Sequence, residues 1–153
     1  MQYLLLILTF ISFSCYAQSE EEKVKKPITA LFDGMRKSDS TLIRTAFAPG
    51  AIMQTIYKSK EGKMGVHTEQ VDKFIVAVTK PHKEIYDERI MYDIIRIDAD
   101  LAIAWTPYQF FVDDKLSHCG VNSFQLVRLN GQWKIQYIID TRRREGCGEK
   151  KLK

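Results

Sequence analysis

Apolar residues change their period along this chain. Before residue 80 they recur every three or four positions in three stretches, with one short alternating segment between them. Beyond it they fall into long runs rich in β-branched and aromatic residues, broken by turn signals. Val24, Ile28, Leu31, Phe32 and Met35 predict a helix over 20–37, with Glu20 to Glu22 at its start and Lys37 at its end, as the helix dipole favours. Pro27 suits a first turn, which would move the start nearer Lys26. Asp39 or Ser40 caps a second short helix through Phe47, with Leu42, Ile43 and Phe47 inward. A strand over 51–57 and a short partner over 64–67 follow. Thr68 then caps a helix over 69–79 with Val71, Phe74, Ile75 and Val78 on one face, and Pro81 ends it. Residues 84–97 read as one long strand whose register stays open, since a two-residue and a three-residue turn at 98–100 put opposite residues inward.

Residues 101–144 read as a three-stranded meander. Asn130-Gly131 between alternating runs is a strong type I′ hairpin signal, and Asp113-Asp114 is the other turn. With two-residue loops, Leu129 faces Gln132, Leu126 faces Ile135, Phe124 faces Tyr137 and Asn122 faces Ile139. Likewise Val112 faces Lys115, Phe111 faces Leu116, Gln109 faces His118, Trp105 faces Asn122 and Ile103 faces Phe124. One face then carries Ile103, Trp105, Gln109, Phe111, His118, Asn122, Phe124, Leu126, Trp133, Ile135, Tyr137 and Ile139. Being large and apolar, it should be the buried one. The outward face would hold Ala102, Ala104, Thr106, Tyr108, Phe110, Val112, Cys119, Val121, Ser123, Val127 and Ile138, with Asp140 also outward unless a bulge re-aims it. Pro107 should mark a bulge or an edge position. Helices that precede and segregate from a mixed or antiparallel sheet make the class α+β, with the curved sheet wrapped round about three helices. The space between them would be a cone-shaped cavity.

Charge narrows the partners. The net charge is +4 over 153 residues, and the six Lys or Arg and two Glu of 142–153 account for all of it. The body is neutral, so a basic nucleic-acid-binding surface is absent. Residues 1–17 are apolar and carry no charged side chain. Too short to span a membrane comfortably, they read as a secretory signal cut after Ala17, or as a leader whose Cys15 is lipidated. That leaves a domain over 18–144 and a basic tail over 145–153, in an exported (periplasmic or secreted) protein with no transmembrane segment after processing. An exported chain permits a Cys119–Cys147 disulfide if the tail folds back at Gly146 or Gly148; the alternative is two free thiols.

Polar groups on the expected buried face must be satisfied or line a cavity. Trp105, Gln109, His118, Asn122 and Tyr137 cluster towards one end of it and are the candidate ligand-binding set. His118 alone titrates near neutral pH there and is the candidate acid–base group if the protein is an enzyme. His67 and His82 read as surface residues. No metal site is expected, because His118 lacks convergent ligands, and no cofactor is implied. One of Arg142, Arg143 and Arg144 could reach the cavity mouth and meet a carboxylate.

The layout resembles the nuclear transport factor 2-like superfamily over residues 20–144. Asp98-Ala99-Asp100-Leu101-Ala102, Ala104-Trp105-Thr106-Pro107-Tyr108, His118-Cys119-Gly120, Trp133-Lys134-Ile135 and Ile139-Asp140-Thr141-Arg142-Arg143 are similar to the lumazine-binding, polyketide-cyclase-like branch of small exported bacterial proteins. The resemblance implies a cone-shaped pocket and, in catalytic relatives, an acid–base pair deep within it. The missing His–Asp pair favours a non-catalytic binder of a small, flat, partly polar molecule. The alternatives are a lyase or isomerase using His118 and a dimeric interaction module. Relatives often pair sheet to sheet, which implies a homodimer through the outer face; the alternative is a monomer whose tail over 142–153 folds back to cover that face, pinned by Cys147 to Cys119.

Overall fold

A computed structural model of the protein describes residues 2–81 and 83–147, with side chains from residue 20 onward. The side chains at the cleavage site and at Cys15, residue His82 and the tail beyond Cys147 lie outside what it describes. The elements are α1 (Gln2–Lys37), α2 (Ser40–Ala46), β1 (Phe47–Lys58), β2 (Met64–Gln70), α3 (Val71–Thr79), β3 (Tyr86–Ile90), β4 (Ile94–Asp98), β5 (Leu101–Val112), β6 (Lys115–Leu129) and β7 (Gln132–Arg143). They form one curved, unclosed mixed sheet in the order β2-β1-β7-β6-β5-β3, with β4 also paired to β5. Only β1 and β7 run parallel. The class is therefore α+β, as the order of periods implies. No helix of the described residues is long and apolar enough to cross a membrane.

The helices bury the stripe that their spacing marks. Val24, Ile28, Leu31, Phe32 and Met35 are all buried against Phe124, Leu126, Trp133 and Ile135 of the sheet. Pro27 does not start α1; it lies inside the helix, with its ring buried. Asp39 caps α2, its carboxylate accepting from the Leu42 N–H at 2.9 Å. Thr68 caps nothing. It belongs to β2, paired with Gln54, and Gln70 is the cap of α3 without a side-chain bond. At the end of the sheet remote from β3, the buried Glu20 carboxylate ties α1 down: it accepts from Arg128 Nη1 at 3.2 Å and Trp133 Nε1 at 3.4 Å.

The expected long strand over 84–97 is two strands, β3 and β4, broken at Met91–Asp93. The break lies opposite Pro107. Ile90 pairs with Tyr108 and Ile94 with Trp105, so β3–β4 spends one residue more than β5 across this point. Pro107 has no N–H to give the edge, and its carbonyl accepts from Met91 N at 3.0 Å.

Both hairpin turns have two residues, with positive φ at Asp113, Asp114, Asn130 and Gly131. Two bulges then change the faces. In β6, Phe111 pairs with Leu116 but Phe110 with His118, so Ser117 is extra. In β7, Leu126 pairs with Ile135 but Gln125 with Tyr137, so Gln136 is extra. Each bulge reverses the parity of one strand relative to its neighbour. The face expected for β6 is correct: His118, Asn122, Phe124 and Leu126 turn inward. The β5 face is reversed. Ala102, Ala104, Thr106 and Tyr108 are buried, and Trp105 is 44% exposed on the outside with Ile103 and Gln109. The β7 face is correct to Ile135 and reversed beyond it. Ile138 and Asp140 turn inward, and Tyr137 and Ile139 turn outward.

Candidate functional site

A cavity of about 560 Å³ opens between α1, α3 and the inner face of the sheet. Leu31, Phe32 and Met35 of α1 form one wall, and Phe74 and Val78 of α3 another. The apolar stripes that build the core therefore also build the pocket. The sheet supplies the polar part. Glu88 from β3, His118 and Asn122 from β6, and Asp140 and Arg142 from β7 all line it, and His67 and Glu69 of β2 stand at its mouth.

These groups are joined by specific bonds. Asn122 Nδ2 donates to Glu88 Oε1 at 2.7 Å. The Tyr108 hydroxyl donates to Asp140 Oδ2 at 3.2 Å and to the Thr141 carbonyl at 2.9 Å. Arg142 Nε donates to the same Asp140 oxygen at 2.9 Å, and its Nη2 to Thr55 Oγ1 at 3.3 Å. His118 stacks on Phe110 at 4.8 Å between ring centroids and meets the edge of Tyr108 at 5.8 Å.

Gly120 makes the Tyr108–Asp140 contact possible. A Cβ there would run into the Thr141 carbonyl oxygen and the Tyr108 ring, and the carbonyl belongs to backbone that cannot move aside alone. Gly120→Ala should therefore cost about 1–3 kcal/mol in urea melts, the usual cost of overpacking. A loss under half a kcal/mol would show that β6 and β7 separate freely here.

The electrostatics follow from burial. Desolvation pushes the Glu88 carboxyl up to about 7, with the Asp140 charge adding to it and the Asn122 bond and Arg142 opposing. Burial also lowers His118 below its ordinary value, with Arg142 adding to the effect, so its imidazole is neutral at pH 7. Burial beside Asp140 and Glu88 raises the Tyr108 phenol, which stays protonated and donates. The cavity thus offers a carboxyl that exchanges its proton near neutrality, a neutral imidazole, and a carboxylate fixed by a phenol and a guanidinium. No group of three or more metal-ligating side chains is present among the described residues.

Of the five residues expected at the site, His118 and Asn122 line the cavity. Trp105, Gln109 and Tyr137 do not. Trp105 and Gln109 left it with the Ser117 bulge and Tyr137 with the Gln136 bulge, and the Tyr137 hydroxyl instead donates to Gln54 Oε1 at 2.6 Å. The bulges turned Phe110 and Asp140 into the lining and buried Tyr108 beside Asp140, all three expected outside. His67 is exposed, as expected of a surface residue, yet it stands at the cavity mouth. Glu88 escaped sequence reasoning altogether. The available signal was a carboxylate two residues from Tyr86 on one side and Ile90 on the other, in a stretch whose turn length was left open.

Cys119 and Cys147 form a disulfide, with Cα atoms 5.6 Å apart. It folds the segment after β7 back over Cys119, where Gln109 Nε2 donates to the Cys147 carbonyl at 3.2 Å. Gln109 therefore acts with the disulfide to hold Cys147 against the sheet.

Residues 19–137 match the family described as "Putative lumazine-binding". No curated protein matches the chain. Several solved structures share the fold at low identity. A nuclear transport factor 2-like protein of unknown function from Shewanella baltica superposes with a TM-score of 0.63 at 16% identity, over 82% of this chain and 94% of its own. A conserved protein from Planctomyces limnophilus gives 0.67 at 14%, over 82% and 98%. A protein of unknown function from Mycobacterium tuberculosis gives 0.69 at 12%, over 86% and 76%. With its match over most of its length, this chain belongs to the putative lumazine-binding family, and its helices laid in a curved, unclosed sheet give it the nuclear transport factor 2-like fold.

Proposed function

We propose that the protein is an exported binder of a small, flat, partly polar molecule held in the cone. The observation that carries this reading is the cavity of about 560 Å³, apolar on the helix side and polar on the sheet side, within the size range of ligand sites. The family description names lumazine, a bicyclic heteroaromatic, and the cavity lining offers such a ring apolar contacts from Phe74 and Phe110 and a polar partner in Asn122. The test is a thermal-shift and NMR screen of the mature protein with pterin, flavin and aromatic metabolites. Thr55→Trp, which fills the cavity from β1, serves as the blocked control. Shifts that vanish in Thr55→Trp support the reading. Shifts that persist, or none with any compound, sink it.

Export is supported by the uncharged apolar leader and by a disulfide between β6 and the segment after β7, which suits an oxidising compartment. The mass of the protein recovered outside the cytoplasm checks it: retention of residues 1–17 with an unmodified Cys15 would contradict both forms of processing.

The second part of the proposal is a homodimer through the outer sheet face. The apolar residues there differ from those expected. Ile94, Leu101, Ile103 and Trp105 are each more than 40% exposed, and they lie together because Ile94 pairs with Trp105 and β5 alternates. Exposed apolar residues grouped in this way mark interfaces more often than bare surface. Light scattering should give twice the subunit mass, and Ile103→Glu should return it to one. A single subunit mass for the parent protein overturns the dimer.

A further inference from the structure

We propose that the cavity takes an organic cation, a protonated amine or quaternary ammonium on a flat apolar body, with the Glu88 carboxylate as its counter-ion. The proposal rests on the cavity being the ligand site and adds the charge of the ligand. Three carboxylates line the cavity, Glu69, Glu88 and Asp140, against one permanent cation, Arg142. Arg142 is already engaged, donating to Asp140 at 2.9 Å and to Thr55. Glu88 forms no ion pair among the described residues. It accepts a single bond, from the neutral Asn122 amide, which fixes one oxygen and leaves the other to the cavity. A partly buried carboxylate without a cationic partner is costly unless something in the cavity compensates it.

The walls suit the same ligand. Phe32, Tyr57, Phe74, Tyr86 and Phe110 line the cavity, and aromatic faces attract cations through their quadrupoles, more strongly where water is excluded. Tyr86 and Phe110 stand 5.9 Å apart at the Glu88 end, beside the carboxylate. His118 is neutral there and adds no opposing charge. A cation beside Glu88 would favour its ionised form and draw the carboxyl back down from about 7. An anionic ligand would meet Glu69, Glu88 and Asp140 with one guanidinium already taken.

The test compares three probes of one shape at pH 8: N-methylquinolinium, quinoline and 1-naphthoate. Binding is read by NMR shifts of cavity-lining residues, including the Asn122 side-chain amide. The expected result is N-methylquinolinium binding at least tenfold more tightly than quinoline, with 1-naphthoate weakest. Glu88→Gln should abolish the preference for the cation and leave quinoline binding within twofold. Quinoline or 1-naphthoate binding in the cavity as tightly as the cation overturns the inference and leaves the binding reading standing. A cation preference that survives in Glu88→Gln overturns the role of Glu88. No cavity shift with any of the three overturns the inference, while the metabolite screen decides the binding reading separately.

Discussion

Phe124→Ala should lower the stability of the fold by about 3–5 kcal/mol, whereas Trp105→Ala should cost about 1 kcal/mol or less. Both are large aromatics on neighbouring strands, and by simple alternation both would face the core. Only Phe124 does. It is fully buried, with its ring edge-on to Phe32 of α1 at 6.3 Å. Truncating it leaves a cavity between helix and sheet that neither can close, because α1 is fixed at the Glu20 end by Arg128 and Trp133. Trp105 is 44% exposed on the outer face, so its removal opens no void in the subunit. Its loss should instead weaken self-association. Urea melts at concentrations where the subunit is monomeric decide the point. Equal losses for the two variants would mean that the Ser117 bulge is absent and that both rings face inward.

The bulges set the limit of what the sequence discloses. Helix stripes, two-residue turns and the pairing nearest each turn are local matters, and each is legible in residue types: Asp113-Asp114 and Asn130-Gly131 do adopt positive φ. Parity along a strand is legible only while pairing stays regular. One inserted residue leaves the alternation within each strand intact and changes only its phase relative to the neighbour. Nothing in Leu116-Ser117-His118 or Ile135-Gln136-Tyr137 distinguishes an extra residue from a paired one. Both sides of β5 are apolar, so hydrophobicity does not choose between Ala102 with Ala104 and Ile103 with Trp105. What decides is long-range. Tyr108 reaches Asp140 across β6 over a glycine at position 120, and the two bulges together bring that pair over the glycine and onto the inner face. The same reasoning explains the miss at β3. The inward set of residues 86–90 depends on the residue spent opposite Pro107, a feature of pairing and not of composition.

The other large effect is a pH dependence centred on Glu88. In the unfolded chain its carboxyl titrates near 4.5; in the folded protein burial holds it at about 7. Between those values the unfolded state has released the proton and the folded state keeps it. The slope of unfolding free energy with pH follows the protons bound in the unfolded state minus those bound in the folded state, and here it is negative. Glu88 therefore makes the protein less stable as pH rises from about 4.5 through about 7, by at most about 3 kcal/mol at 1.36 kcal/mol per pH unit, and the effect is flat above that. Neighbouring groups act in the same range. His118, lowered by burial and Arg142, contributes in the opposite sense, since the unfolded chain binds its proton more readily. Tyr108, Asp140 and Arg142 complete the surroundings. Glu88→Gln isolates the one group, because a glutamine carbonyl can still accept from Asn122 and cannot ionise. Subtracting parent from variant cancels the rest of the titration. The variant should match the parent near pH 4 and exceed its stability by about 2–3 kcal/mol at pH 8, measured by urea melts at matched ionic strength. Difference curves that stay flat from pH 4 to pH 8 would show that the carboxyl ionises in the folded protein as freely as in water.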